Sequence, residues 1–158
     1  MNLLAIDPGT EQSGWCLFGN GAETDVTRFW RVVNCGVMPN DELVYSLAGS
    51  PALFGASSLA IEMVASYGMP VGRETFETVR WIGRFQQAWH SPEEVRLVYR
   101  RDVKLYLCGS MKAKDANVRQ ALIDKLGPVG TKASPGPLYG VKSHAWSELA
   151  VAVTAAGA

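Results

Sequence analysis

The sequence predicts a single α/β domain built on a mixed β-sheet, and three observations carry the prediction. Strand-like segments fill the first third of the chain, helical and strand periods alternate after it, and no linker, repeat or low-complexity tract divides the 158 residues. That length suits one ordinary domain. With 47% hydrophobic and 19% charged residues and five tryptophans, the chain can bury a core, which excludes a disordered tail or linker protein.

Taken in order, Leu3-Leu4-Ala5-Ile6 is a short apolar run that ends at Asp7-Pro8-Gly9-Thr10, a buried strand running into a turn. Strand composition resumes over 14–18 and 29–37, and Gly19-Asn20-Gly21 between them is a hairpin signal, so an antiparallel meander is expected. A short helix fits 41–48. Residues 58–64 (SLAIEMV) form a second buried strand with an acid in its middle, followed by a loop over 66–72. From 73 to 90, apolar residues at Phe76, Val79, Ile82, Phe85 and Trp89 recur at spacings of three and four, the stripe of an amphipathic helix, with Trp81 off it. An exposed apolar residue at Trp81 would favour a subunit contact. A strand is expected over 95–99 and a helix over 114–126, with Val118, Ala121, Leu122 and Leu126 inward and Gly127-Pro128 as its stop. Residues 127–142 read as a loop that orders only on its ligand, and an Ala-rich helix closes the chain over 144–156.

The formal charge is zero, with 15 basic and 15 acidic residues, which speaks against a generic DNA-coating protein. The balance is uneven: residues 1–62 carry seven acids against two arginines, whereas 103–142 carry six lysines and an arginine against two acids. That division suits a metal site beside a polyanion groove, and equally a solvated surface with chance clustering. Three widely spaced cysteines without a CxxC pair read as reduced core thiols of a cytoplasmic protein. No apolar run has the length of a membrane span, and the first residues lack a signal-peptide pattern, so no membrane association is expected.

Two carboxylates stand out by position. Asp7 ends one apolar strand and Glu62 lies inside another, and a buried carboxylate costs several kcal/mol unless a partner or a cation compensates it. Asp7 could cap its turn through Thr10, and Glu62 could pair with a core arginine. On the last helix, His144, Ser147 and Glu148 share a face by their spacing of three and four, either turned to the sheet or exposed on the surface. Converging Asp and Glu oxygens favour a hard cation such as Mg²⁺ or Mn²⁺ over Zn²⁺, and a pair of such ions can drive phosphodiester hydrolysis. Arg73, Arg80 and Arg84 fall on one helical stripe, suited either to phosphate contacts or to salt bridges with Glu74 and Glu77. Arg100, Arg101 and Lys104 form another basic group.

Several segments together resemble RuvC-type Holliday junction resolvases. Residues 4–15 (LAIDPGTEQSGW) look like the family's first strand and turn, and 60–62 (AIE) like its second acidic strand. Residues 109–119 (GSMKAKDANVR) look like its basic turn and helix start, and 144–153 (HAWSELAVAV) like the C-terminal helix with the remaining metal ligands. Residues 65–85 look especially like phage and prophage versions. The resemblance implies a ribonuclease H-like mixed five-stranded sheet flanked by helices, in one domain spanning residues 1–158. It also implies a homodimer, two Mg²⁺ ions per active site (with Mn²⁺ possible), and paired nicks in branched DNA such as four-way junctions and forks. If phage-encoded, the protein would work in the cytoplasm of a bacterial host. By the same resemblance Asp7 bridges the ions, Glu62 and Glu148 complete their shells, and His144 ligates or orients the water, leaving 5′-phosphate and 3′-hydroxyl ends.

The sequence departs from the family pattern at Ser147, where the family has a catalytic Asp; Glu148, one place later, is the candidate replacement. Lys112 and Lys114 fall near a turn whose lysines approach the scissile phosphate in that family, a charge that would stabilise the developing anion; a solvated surface is the other reading. Lys114 is taken as the candidate catalytic lysine, and Lys112, Lys114 and Arg119 join Tyr67, Arg73 and Arg80 as candidate DNA contacts. Tyr67 could stack on or wedge between bases, or pack over the core. An actin-like ATPase or sugar kinase also opens on an Asp-x-Gly-Thr turn, but it needs two domains around a nucleotide, so no nucleotide cofactor is expected. The alternatives to a junction resolvase are a relaxed nickase or debranching nuclease, and a branched-DNA-binding protein that no longer cuts.

Overall fold

The computed structural model describes residues 2–20, 30–49 and 54–158. In it, five strands form one mixed sheet in the order β3-β2-β1-β4-β5. β1 (Asn2–Asp7), β2 (Gln12–Asn20) and β3 (Trp30–Pro39) make the expected antiparallel meander, and β4 (Ser58–Met63) and β5 (Arg96–Tyr99) add on parallel to β1. Five helices surround the sheet: α1 (Asn40–Gly49), α2 (Arg73–Ala88), α3 (Arg100–Cys108), α4 (Asp115–Leu126) and α5 (Ala145–Ala156). Among the described residues, no helix is long and apolar enough to cross a membrane.

The period of two in β1 and β4 divides the core between the faces of the sheet. Leu4, Ile6, Leu59 and Ile61 point to one face and pack with Leu43 and Leu47 of α1 and Ile82 and Phe85 of α2. Leu3, Ala5, Ala60 and Val98 point to the other, where α5 lies against the strands and α3 and α4 cover it through Val103, Val118 and Leu122. α5 is therefore enclosed, and Glu148 through Val153 are all buried, which explains why its sequence is small and apolar around its circumference. Asp7 and Glu62 follow the parity of Ala5 and Ala60, so both carboxylates face α5.

Some expectations are corrected. A tight turn at 19–21 is not formed: Gly19 and Asn20 still pair with Arg31 and Trp30, so the connection lies in 21–29, outside the described residues. The apolar stripe of α2 is core only in its second half, since Ile82, Phe85 and Trp89 are buried whereas Phe76 is 60% exposed and Val79 lies at the surface. Trp81 is half-buried, stacked on Phe85 at 5.9 Å and covered by the Arg84 guanidinium at 4.1 Å. Helix α3 lies where the sequence suggested only a basic group. Residues 127–142 form an ordered connection: Leu138 and Val141 are buried in the α5-side core, and Gly130 bridges to Pro135. Cys16, Cys35 and Cys108 are free; Cys16 is buried and the other two partly so.

Candidate active site

The candidate site forms on one rung of the sheet. Asp7 ends β1 opposite Gly14 of β2, Ile6 pairs with Ile61 of β4, and Glu62 follows, paired with Val98 of β5. Parallel neighbours at the same height project to the same face, so the two carboxyl groups meet and share a hydrogen bond. Burial raises Asp7 above the usual carboxylate range, opposed by that hydrogen bond, by the charges of Arg100 and His144, and by the Ser147 hydroxyl. Glu62 is pushed up to about 7, first by burial and then by the negative charge of Asp7, with Arg100 pulling the other way.

The turn after Asp7 is locked by a polar network under it. The buried Asn40 side chain accepts from the Ser13 hydroxyl at 2.6 Å and donates to the Gly9 carbonyl at 2.9 Å, while the Gly9 N–H donates to Ser13 Oγ at 3.2 Å. The Asn40 N–H donates to the Glu11 carbonyl at 2.9 Å. These contacts fix the direction in which β1 releases Asp7.

From above, α5 supplies the remaining groups. Exposed His144 stands at its N-terminus, on the rim of two cavities. One, of about 220 Å³, is lined by Asp7, Gly9, Gln12, Gly14, His144 and Glu148. Glu148 is 0% exposed, and neither of its carboxylate oxygens has a hydrogen-bond partner among the described residues. Burial first, then the charges of Asp7 and Glu62, push its carboxyl up to about 8. Its space exists because β2 has glycine opposite: a Cβ at Gly14 would lie 1.5 Å from Glu148 Oε1.

Across His144 from the first, a cavity of about 190 Å³ is lined by Arg100, Asp115, Arg119, Ser143, His144 and Ser147, among others. Arg100 begins α3 directly after β5, so the β4–β5 register brings it beside Glu62. Its guanidinium donates to Ser147 Oγ at 3.3 Å and to Asp115. A larger opening of about 390 Å³ continues from Arg100 over Arg101, Lys104, Tyr67 and Met111. Tyr67 is 55% exposed and adopts a left-handed backbone, with φ 48°, that turns it out of the core.

Of the sequence candidates, the structure brings together Asp7 and Glu62, with Glu148 and His144 around the adjoining cavity. Arg119 lies at the second cavity, with its guanidinium 4.7 Å from the centre of the Trp146 ring. Lys112 and Lys114 are exposed in and after the α3–α4 turn and line none of these three cavities. Arg80 is exposed and bridges to Glu77 at 3.4 Å, the salt-bridge alternative, and exposed Arg73 starts α2. Arg100, Asn40 and Ser13 were not singled out as site residues from the sequence.

Among the described residues, no three His, Cys, Asp or Glu side chains are close enough, as placed, to ligate one metal ion. The chemistry of the donors nevertheless fits a hard divalent cation. Two carboxyls meet on one rung, a third is buried with both oxygens unpartnered, and burial pushes each of these groups towards its neutral form, a cost that a bound cation would offset.

No protein-family model and no curated protein matches the sequence. Solved structures do. A structure of Thermus thermophilus RuvC superposes with a TM-score of 0.70 at 20% identity, covering 99% of this chain and 93% of that one. T. thermophilus RuvC in complex with a Holliday junction substrate gives the same score and coverage at 21% identity. At this identity the likeness speaks for architecture, and the chain has the RuvC-like, ribonuclease H-type fold.

Proposed function

We propose that this chain is a divalent-metal-dependent endonuclease that resolves four-way junctions and other branched DNA, acting as a homodimer that nicks paired strands. The observation that carries the reading is the Asp7–Glu62 pair, two half-buried carboxyls side by side with Asp7 lining an open cavity, and a basic and aromatic surface beyond Arg100. The chemistry of that surface suits a phosphate backbone and unstacked bases. A neighbour of the same fold is known in complex with a Holliday junction substrate, which supports the choice of DNA.

Asp7 and Glu62 would hold the ion, Mg²⁺ or Mn²⁺, with Glu148 and His144 at the adjoining cavity as further donors. When bound, the ion supplies charge to stabilise the phosphate anion and acidifies a water. The chain's own residues do the rest. The clamp of Ser13 and Asn40 holds the Asp7 turn in place. His144, exposed at the rim, can take a proton or orient a water. Arg119 at the second cavity, and Tyr67 with Arg101 and Lys104 at the larger opening, would contact the strands. Lys112, Lys114, Arg73 and Arg80, exposed and outside these cavities, would serve as phosphate contacts, with Lys114 the candidate to approach the scissile phosphate.

Labelled four-way junction, Y-fork and linear duplex, each incubated with protein and Mg²⁺ or Mn²⁺, test this on a denaturing gel. Symmetric nicks confined to the junction, abolished in Asp7→Asn, are expected. Cutting of forks and duplex alike would replace the resolvase reading with a relaxed nickase. Binding without any cutting would identify a non-catalytic branched-DNA-binding protein, the alternative that Ser147 favours by standing where the resemblance expects an acid.

A further inference from the structure

The cavity containing Ser147 differs in kind from the one containing Glu148. Where the resemblance expects an acid at Ser147, a hydroxyl donates to Asp7 and accepts from the Arg100 guanidinium at 3.3 Å. Arg100 is partly buried, with 26% of its side chain exposed, and is anchored from the far side by Asp115. It follows β5 immediately, one residue beyond the Met63–Tyr99 pair, so the sheet itself delivers a cation to this end of the β4 strand. Its charge counteracts the burial of both Asp7 and Glu62.

We propose that Arg100 is the built-in counter-cation of the Asp7–Glu62 pair on the Ser147 side, occupying the position that a second divalent ion would need, so that this side of the site takes no metal. The inference rests on the metal-site reading above and narrows its expectation of two ions. A guanidinium is always charged and cannot be chelated away, and its planar fork can hold Ser147 and Asp115 together. A hydroxyl at Ser147 is neutral, so it can bridge Arg100 to Asp7 without the extra negative charge that an ion there would require. An arginine fixed in this way competes with any incoming cation for the same carboxylates. Its removal therefore strengthens metal binding, the opposite of what loss of a structural side chain does.

Mn²⁺ binding to the full chain without DNA, followed by electron paramagnetic resonance of the free ion, tests this. Arg100→Ala is expected to bind Mn²⁺ about tenfold more tightly than wild type, from the loss of one nearby repulsive charge, and Arg100→Lys to stay near wild type. Arg100→Gln, which keeps a hydrogen-bonding side chain without charge, is expected to follow Arg100→Ala and decides the question if the alanine variant does not fold. The double variant Arg100→Ala/Ser147→Asp is expected to take up one more ion per protomer than wild type. Ser147→Asp alone is not, because Arg100 would neutralise the new acid. Unchanged or weaker affinity in a folded, uncharged Arg100 variant overturns the proposal while leaving the metal reading intact. Absence of any Mn²⁺ binding that depends on Asp7 in wild type overturns both.

Discussion

The Glu148 carboxylate occupies the space that a side chain at Gly14 would fill, so close that a Cβ there would lie 1.5 Å from Oε1. β2 runs opposite Asp7 at this residue, and the glycine lets α5 place an acid directly against the sheet. Gly14→Ala is therefore expected to force Glu148 out of its pocket and to lower stability by about 1–3 kcal/mol. In Glu148→Ala the same Gly14→Ala change should cost far less, because the colliding carboxylate is gone. A double-mutant cycle by denaturant unfolding measures the coupling, and additive losses would show that Glu148 does not fill the space above Gly14.

Burial of three carboxyls sets the pH dependence of the metal-free protein. Glu62 is raised to about 7 and Glu148 to about 8, from an ordinary value of 4.5, so between these limits the folded chain binds more protons than the unfolded one. The stability these two groups contribute is fully present below about pH 4.5 and is lost as pH rises through 8, until both have ionised. Thermal unfolding with a chelator present should show this decline. Glu148→Gln removes one titrating group, so its melting temperature relative to wild type should improve steadily towards alkaline pH. A difference independent of pH would mean that Glu148 titrates normally.

Much of this site was legible in the sequence because its logic is local. An acid at the end of one apolar strand and another within a second stand out from the sequence, the resemblance brings them together, and strands of period two do place Asp7 and Glu62 on one face. Arg100 was not legible as a site residue. It is beside Glu62 only because β5 adds parallel to β4 and α3 begins at once, and the helix itself was hidden. Only Val103 of α3 is fully buried, so its apolar stripe is thin, and its one clear end signal, Gly109 in the left-handed region at φ 70°, is equally a turn signal. Asn40 was missed for a similar reason: its partners, Ser13 and the Gly9 carbonyl, are remote in sequence until β3 returns the chain beside the first turn.

The Asn40 clamp carries its own prediction. Asn40→Ala leaves the Ser13 hydroxyl without its acceptor and the Gly9 carbonyl without that donor, both at the buried base of the Asp7 turn. A loss of about 2 kcal/mol in stability is expected from the unmet polar groups. Asp7 is held by the same turn, so Mn²⁺ affinity should fall along with stability. Stability lost with metal affinity unchanged would mean that the clamp supports the fold alone and leaves Asp7 in place.

Tyr67 offers the sharpest test of whether the chain separates branched from linear DNA. Its ring is exposed on a loop whose backbone takes left-handed values at both Tyr67 and Gly68, with φ 48° and 80°, so the tyrosine is held in a conformation that few side chains adopt without purpose. It lines an opening with Arg100, Arg101, Lys104 and Met111, where cations can follow a phosphate backbone and an aromatic face can receive a base no longer stacked in a duplex. A branch point interrupts stacking and frees a base more readily than a continuous duplex does. Tyr67→Ala should therefore weaken four-way junction binding by about tenfold, within the range of a single lost stacking contact, and leave duplex binding nearly unchanged. Tyr67→Phe should retain junction affinity, because the face of the ring and not the hydroxyl makes the contact. Fluorescence anisotropy with Ca²⁺ in place of Mg²⁺ separates binding from cleavage. Equal weakening on junction and duplex would reduce Tyr67 to a general contact.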